Sequence, residues 1–297
     1  MKPSRNNAVD YPAGAARPAA GYYRDVTDFY LAYGGENGWH YGIWEADVRT
    51  RAESLIRENE LLVRGLDLSG SNSVLDVGCG DGAFAVWCAR KFGCRATGIT
   101  LIPEHVELAE DLAEKRGVGR LCRFLAMDMN DISFPASSFD YIFNQESVCY
   151  AVDKADYLRR VFRLLKPGGA WSAVEFALKE GPLSPIESGR HEEVRRGFLI
   201  PDLLSPSRLN KILSDLGYVN ISARDLTGAA AASARYIVRS SRFPLLLFKL
   251  RIAWLFFRVH PRKRRHIRGH FSAGAAFSRG LLEGYFKLSF HRGWKPC

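Results

Sequence analysis

A carboxylate stands where a buried strand should be closing. In FNQESVCY, residues 143–150, apolar Phe143 gives way to Asn144, Gln145, Glu146 and Ser147 before the chain turns apolar again at Val148. A Glu at a strand tip, in poorly hydrated surroundings, can accept a proton or stabilise a developing positive charge. The competing role for Glu146 is to cap the following helix or to pair with an Arg. A second signal is VLDVGCGDGAFA, which sets Gly78, Gly80 and Gly82 directly after a strand and before a helix. Such glycines permit a tight turn and let a ligand approach the backbone more closely than a Cβ allows. A dinucleotide fingerprint would read GxGxxG, with an acid about 20 residues on. Here the spacing is GxGxG, and Thr100 rather than an acid ends the next strand. The third signal is aromatic: YYRDVTDFYLAYGGENGWHYGIW brings together Tyr22, Tyr23, Tyr30, Trp39, His40, Tyr41 and Trp44, and Tyr150 follows Glu146. Aromatic faces attract a cation by roughly 0.5–2 kcal/mol each, although core packing is the alternative role for any one ring.

These residues need a scaffold, and the periodicity supplies one. Strand-like runs SVLDVG (73–78), CRATGIT (94–100), CRFLAMD (122–128), FDYIFN (139–144) and GAWSAVEFA (169–177) alternate with amphipathic stretches at helical spacing. That alternation predicts a parallel sheet of right-handed βαβ units. LLKPGG (164–169) carries the Pro and Gly that stop one helix and turn the chain into the next strand. Residues 207–227 read as helix, Gly stop and strand, 285–295 as a last strand, and the Pro- and Gly-punctuated stretch at 178–204 as a surface lid.

The 297 residues can bury a large core, and 47% apolar with 25% charged content is ordinary for a soluble globular protein. The charge is less ordinary. Of the net +10, residues 235–297 hold fifteen of the 42 Lys and Arg but only one of the 32 acids, Glu283, which leaves 27 cations against 31 acids elsewhere. The run from Phe243 to Val259 is apolar but broken by Lys249 and Arg251, too short and polar for a membrane span. HPRKRRHIRGH (260–270) then packs five Lys or Arg and three His into eleven residues. Three readings compete: cations that hold a diphosphate, an interfacial helix with its basic flank on anionic lipid, or a solvated basic face. The chain has no RNA-binding aromatic motif, so nucleic acid is not an expected partner. Six cysteines without a CxxC pair predict a reduced, cytoplasmic protein, and the N-terminus has no apolar core of a secretory signal.

LDVGCGDG resembles the first motif of the class I S-adenosylmethionine (SAM)-dependent methyltransferases. DMNDISFPASSFDYIFNQES and RVFRLLKPGG are similar to that family's later motifs, in the family's order, over about residues 70–178. The resemblance implies a doubly wound, seven-stranded Rossmann-like α/β sheet, mostly parallel with the last strand antiparallel, an N-terminal helical cap and a helical insertion before the last strand. Its implied organisation is a flexible tail (1–20), the cap (21–70), a SAM-binding core (71–178), a lid (179–206) and C-terminal strands (207–297) carrying a basic helical insertion at 235–280. Asp76, Gly78 and Gly80 would contact SAM's methionine part, and Asp128 with Met129 the adenine. GITLIPEH is similar to the second-strand ending of cyclopropane-fatty-acid synthases and isoprenoid C-methyltransferases, which implies Thr100 on the ribose, with Leu101 and His105 beside it. His105 stands where those families carry Gln, and a helix-surface histidine is its alternative. Asn144 and Tyr23 complete the implied cofactor set.

FNQESVCYAVD resembles geranyl diphosphate C-methyltransferases, and sterol and tocopherol C-methyltransferases likewise place a Glu there. The resemblance implies methylation of an alkene carbon of an isoprenoid in terpene biosynthesis, with a prenyl diphosphate as the favoured form; no metal-ligating residues are picked out. The resulting carbocation would be deprotonated or cyclised, with Glu146 and Tyr150 as catalytic residues. Substrate contacts would come from Tyr22, Trp39, His40 and Tyr41, with His191 and Arg195, beside Arg190, as diphosphate candidates. Other readings are an uncharged lipophilic acceptor (a prenylated natural product, sterol or quinone), a small-amine N-methyltransferase, and a non-enzymatic binding module. Weak membrane-surface contact through 243–268 and a homo-oligomer complete the expectations.

Overall fold

The computed structural model describes residues 17–250, 252–253 and 260–297. Most of the tail expected over 1–20, and the part of the apolar run at 254–259, lie outside the described residues. Seven strands form one sheet: β1 (Ser73–Val77), β2 (Arg95–Thr100), β3 (Cys122–Ala126), β4 (Phe139–Gln145), β5 (Leu165–Leu178), β6 (Val219–Asp225) and β7 (Phe286–Trp294). Their order is β3-β2-β1-β4-β5-β7-β6. β1 to β5 pair in parallel, and β7 runs antiparallel between β5 and β6. The sheet expected from the sequence is the sheet observed. Because β1 pairs with β2 on one side and β4 on the other, the chain reverses its direction of travel there. A crevice opens at such a switch point beyond the carboxyl ends of the strands.

The period of two along each strand feeds two cores. In β1, Val74 joins one cluster with Phe84, Cys88, Ala109 and Phe143, while Leu75 and Val77 join the other with Ile142, Tyr157, Leu158 and Leu213. The first set lies under α3 (Ala83–Phe92) and α4 (Pro103–Lys115), the second under α5 (Lys154–Leu164) and α7 (Pro206–Asp215). Full burial of one such aliphatic or aromatic side chain contributes about 1.5–3 kcal/mol.

Helix ends follow local chemistry. Asp153 caps α5 by accepting from the amides of Ala155 and Asp156. Thr50 and Glu53 form a reciprocal capping box at the start of α2 (Arg51–Val63), and Ser184 with Glu187 does the same for α6 (Pro185–Phe198). The stretch read as a lid is therefore largely one capped helix whose Val194, Gly197 and Phe198 are buried. The cap over the sheet is α1 (Arg17–Gly34) with α2, and the insertion before β7 comprises α8 (Thr227–Ser240), α9 (Arg242–Lys249) and α10 (Pro261–Glu283). α10 packs against α6, α8 and α1, so the insertion and the cap meet above the crevice.

Candidate active site

A cavity of about 430 Å³ occupies that crevice. Its sequence-local parts are the glycine loop, the ends of β2 and β4, and residues 127–130; its remote parts come from α1, residues 38–41, residues 198–201, the end of α8 and the middle of α10. Asp76, Gly78, Gly80, Thr100, Leu101, His105, Asp128, Met129, Tyr23, Trp39, His40, Tyr41, Glu146 and Tyr150 all line it. One cavity thus gathers most residues picked from the sequence.

The glycines have a steric reason. Gly78 has φ +80°, and a Cβ there would fall 2.6 Å from Ser147 Cβ; Gly80 has φ +55°, and a Cβ would press to 3.3 Å from the Trp39 ring. An L side chain is therefore strained at both positions as well as crowded. Trp39 roofs the loop, stacking on Tyr30 at 5.4 Å and meeting His105 edge-on at 4.8 Å. Beneath it, Asp76 is buried, and its Oδ2 has no hydrogen-bond partner among the described residues. Burial, with the Asp81 carboxylate adding repulsion, pushes Asp76 up to about 7; burial alone leads the rise of Asp81, also to about 7. An unpaired buried carboxylate beside a bare glycine backbone fits the cationic amino-acid end of SAM. At the far wall, Asp128 Oδ1 accepts from both the backbone and side-chain nitrogens of Asn130 at 2.8 Å, fixing the turn that carries Met129.

His105 is 2% exposed and not on the helix surface. The Thr27 hydroxyl donates to the Tyr23 carbonyl at 2.7 Å and lies 2.8 Å from His105 Nε2. With its proton so used, Thr27 accepts from Nε2–H, and Nδ1 is left as the bare acceptor. Burial pushes the imidazole down to about 3, so it is neutral. His105 ties the cap helix to the second strand's end. A pH-dependent affinity follows from Asp76. A bound ammonium favours the ionised carboxylate, so SAM affinity should rise several-fold from pH 5.5 to about 7.5 and then level. Calorimetric titration should show this rise, with proton release at low pH, and Asp76→Asn should bind weakly with a flat profile.

Glu146 follows directly on β4 with φ +51°, a left-handed backbone that costs a non-glycine residue roughly 1–2 kcal/mol. Four hydrogen bonds hold it there. Its N–H donates to the Val174 carbonyl at 2.7 Å; its Oε1 accepts from the Tyr41 N–H at 2.6 Å; and the next two amides, Ser147 and Val148, donate to Glu175 Oε1 at 3.0 and 2.8 Å. The capping alternative is thereby resolved: Glu175 caps the turn, and Glu146 is left at the cavity wall. Among the described residues, Glu146 has no ion pair. Burial first, and then repulsion from Glu58, raises its carboxyl well above the ordinary range.

The facing segment is pinned as firmly. Glu58 Oε2 accepts the Gly42 N–H at 2.9 Å and lies 3.0 Å from His40 Nδ1, while Arg51 donates to the carbonyls of His40 and Tyr41. Tyr150 donates its hydroxyl to the Phe198 carbonyl at 3.2 Å, which leaves its ring as wall beside Tyr23, 5.4 Å away. Phe29, Phe198, Phe271 and His270 complete an aromatic chamber, with His270 pushed down to about 4 by burial. Among the described residues, no Lys or Arg lines the cavity.

Five expected site residues lie elsewhere. Tyr22 is fully buried behind the wall, its hydroxyl 2.8 Å from His270 Nδ1. Asn144 lies below the floor: Oδ1 accepts from Tyr157 Oη and Trp171 Nε1, both at 2.7 Å, and Nδ2 donates to Ser147 Oγ and the Val77 carbonyl. With every polar group engaged, it holds the floor together and does not reach a ligand. Asn144→Leu strands two buried donors, and urea unfolding should show a loss of about 2–4 kcal/mol. His191 lies 3.3 Å from Asp202, and Arg195 pairs with Glu192 and donates to the Pro201 carbonyl, both away from the cavity. Arg190 likewise pairs with Glu193. Acids one turn away on the same helix absorb the two arginine charges, and burial lowers the pKa of His191. Residues that the sequence reading missed include Glu175, Glu58 and Arg51. An acid inside the apolar run GAWSAVEFA was a usable signal for Glu175; RENELL around Glu58 looks like any solvated helix face.

A seven-stranded sheet with antiparallel β7, a glycine loop after β1 and an acid after β3 defines a SAM-dependent methyltransferase. The methyltransferase domain model matches residues 75–172. The chain is 30% identical over 194 residues to 27-O-demethylrifamycin SV methyltransferase of Amycolatopsis mediterranei, covering 65% of this chain and 70% of that protein. It is 27% identical over 234 residues to cycloartenol-C-24-methyltransferase of Arabidopsis thaliana, covering 77% and 68% respectively. Among solved structures, the [4+2]-cyclase SpnF superposes with a TM-score of 0.78 at 22% identity, covering 97% of this chain and 99% of that one. A geranyl diphosphate methyltransferase in complex with its diphosphate and sinefungin gives 0.73 at 19%, covering 94% and 99%. The chain belongs to the methyltransferase family, and its cofactor is S-adenosylmethionine.

Proposed function

We propose that this methyltransferase adds a methyl group to an electron-rich carbon of a lipophilic isoprenoid acceptor. The observation that carries this reading is one carboxylate, Glu146, set at the wall of an aromatic chamber continuous with the glycine loop. SAM, when bound, supplies an electrophilic methyl on a sulfonium. With SAM bound, the acceptor's π electrons would form the new C–C bond as the S–CH3 bond breaks and the neutral thioether leaves, so the positive charge would pass to the acceptor, within a chamber lined by the rings of Tyr23, Tyr30 and Tyr150. Glu146 offsets that charge and takes a proton from a neighbouring carbon, whose C–H electrons restore the double bond. Its raised pKa makes the ionised carboxylate a stronger base than an ordinary Glu. Trp39 and α1 keep water from quenching the cation.

The lining favours an acceptor that is uncharged where it is buried. A diphosphate inside the chamber would meet no Lys or Arg among the described residues, and His105 and His270 are held neutral. The prenyl diphosphate form draws support from the geranyl diphosphate complex of the structural neighbour, and a small amine from the rings and acids of the chamber. Incubation with methyl-labelled SAM and a panel of prenyl diphosphates, prenyl alcohols, sterols and simple amines separates these. Label on the carbon skeleton of uncharged isoprenoids is the expected result. Label confined to diphosphates would overturn the uncharged form, and label on amines or hydroxyl oxygens would overturn C-methylation.

A further inference from the structure

Residues 226–282 contain twelve Lys and Arg and no Asp or Glu. α9 shows how this segment is arranged. At 3.6 residues per turn, Phe243, Leu246 and Leu250 fall within an arc of about 60°. They are 59, 47 and 55% exposed. On the wheel, Arg242 and Lys249, both exposed, run along one edge of that arc, and Leu247, on its other side, is buried against the body. In α10 the exposed residues Arg262, Arg265 and Arg268 recur every three positions. Arg262 lies 4.0 Å from Asp25; among the described residues, Arg265 and Arg268 have no ion-pair partner. α9 packs against α8 and α10. The cavity reaches solvent beside this face: Tyr236 and Ser240, at the end of α8, both line it and are both exposed.

We propose that α9 and the first turns of α10 form a docking surface for an anionic lipid membrane, which brings the α8 opening of the cavity to the bilayer. An exposed apolar arc with cations along its edge, in a segment (226–282) without an Asp or Glu of its own, is complementary to the acyl–headgroup boundary of a negatively charged leaflet. A nucleic acid would leave the apolar arc unused, and a second copy of this face would set cation against cation. No described helix is long and apolar enough to cross a membrane, so the contact is peripheral. The proposal rests on the lipophilic-acceptor reading only for its purpose, since docking itself requires no acceptor.

The test is co-sedimentation of the full chain, with SAM, on vesicles of phosphatidylcholine alone and of phosphatidylcholine mixed with phosphatidylglycerol. Binding to the anionic vesicles only, weakened roughly tenfold or more by added salt, is expected. The double variants Leu246→Ser/Leu250→Ser and Arg265→Glu/Arg268→Glu should each weaken it by a similar factor, with SAM affinity and thermal melting unchanged. If the leucine pair fails to fold, the surface arginine pair carries the test. Equal binding to neutral vesicles, no binding to either, or full binding by the arginine variant would overturn the proposal. So would competition by duplex DNA that the leucine variant retains, or a dimer that this variant disperses. Label transfer to an acceptor dispersed in detergent, measured separately, reports on the acceptor reading alone.

Discussion

Replacing Glu146 by Gln should leave SAM affinity within about twofold of the parent and lower turnover by roughly 100-fold or more, the scale of a lost acid–base group. The substitution is nearly isosteric, and the Gln carbonyl oxygen can still accept the Tyr41 N–H that Glu146 Oε1 accepts at 2.6 Å. The left-handed turn at residue 146 and the cavity wall should therefore persist, and only the charge and the basicity go. The pH profile distinguishes this from a structural loss. A base works only when ionised, and burial with the neighbouring Glu58 raises this one well above the ordinary carboxylate range. Parent turnover should accordingly climb with pH through that raised pKa, with a slope near one, and the Gln variant should lose the climb. Single-turnover rates with saturating SAM, across pH, measure both quantities. Parent-like turnover in the variant would remove Glu146 from the reaction.

Glu175→Ala should be the most damaging change away from the cavity lining. Glu175 is 2% exposed, and its Oε1 receives the two amides that follow Glu146. Alanine leaves both amides buried without an acceptor, at about 1–3 kcal/mol for each stranded donor. The turn that aims Glu146 then loses its anchor. A stability loss of about 2–5 kcal/mol in urea unfolding is expected, with a turnover loss of tenfold or more. Glu175→Gln keeps an oxygen for both amides and should recover most of each. The carboxyl, raised by burial to about 8, sits above its unfolded value of 4.5. The folded state therefore holds a proton that the unfolded chain has released between those values. That part of the stability is present at low pH and declines as pH rises toward 8. Glu175→Gln should flatten the decline, which unfolding measured from pH 5 to 8 would show.

The core was legible because its information is local. Each strand from β1 to β5 carries its own apolar run, and the glycine loop needs only its neighbours to be read as a ligand turn. Glu146 was legible for a related reason, being a polar break at a strand end. What failed was orientation. Tyr22 and Tyr23 are adjacent in sequence, yet one is locked behind the wall by a hydrogen bond to His270, 248 residues away, and the other faces the cavity. No periodicity in α1 encodes which way the helix is rolled. Asn144 and Glu146 share a polar run and, two residues apart, would share a face of a regular strand; the left-handed turn at Glu146 sends it into the chamber while Asn144 stays beneath the floor. The lid arginines misled because charge type is visible in sequence and its neutralisation is not: Glu192 and Glu193 take up Arg195 and Arg190.

The place of β7 in the sheet has a consequence for the order of assembly. β6 touches the sheet only through β7, which is synthesised after it and after the whole α8–α10 insertion. While a ribosome is still delivering that insertion, β1 to β5 and the glycine loop can already pair, but β6 has no strand to join. Tyr41, in the cap, also waits: its hydroxyl bonds to Ser278 and its carbonyl to Ser233, both inside the insertion. The donor half of the site is thus built early from near neighbours, and the acceptor half is completed last, by contacts spanning some of the longest loops in the chain. Such non-local closure is slow, so a newly made molecule should bind the methyl donor before it is able to shelter a cation.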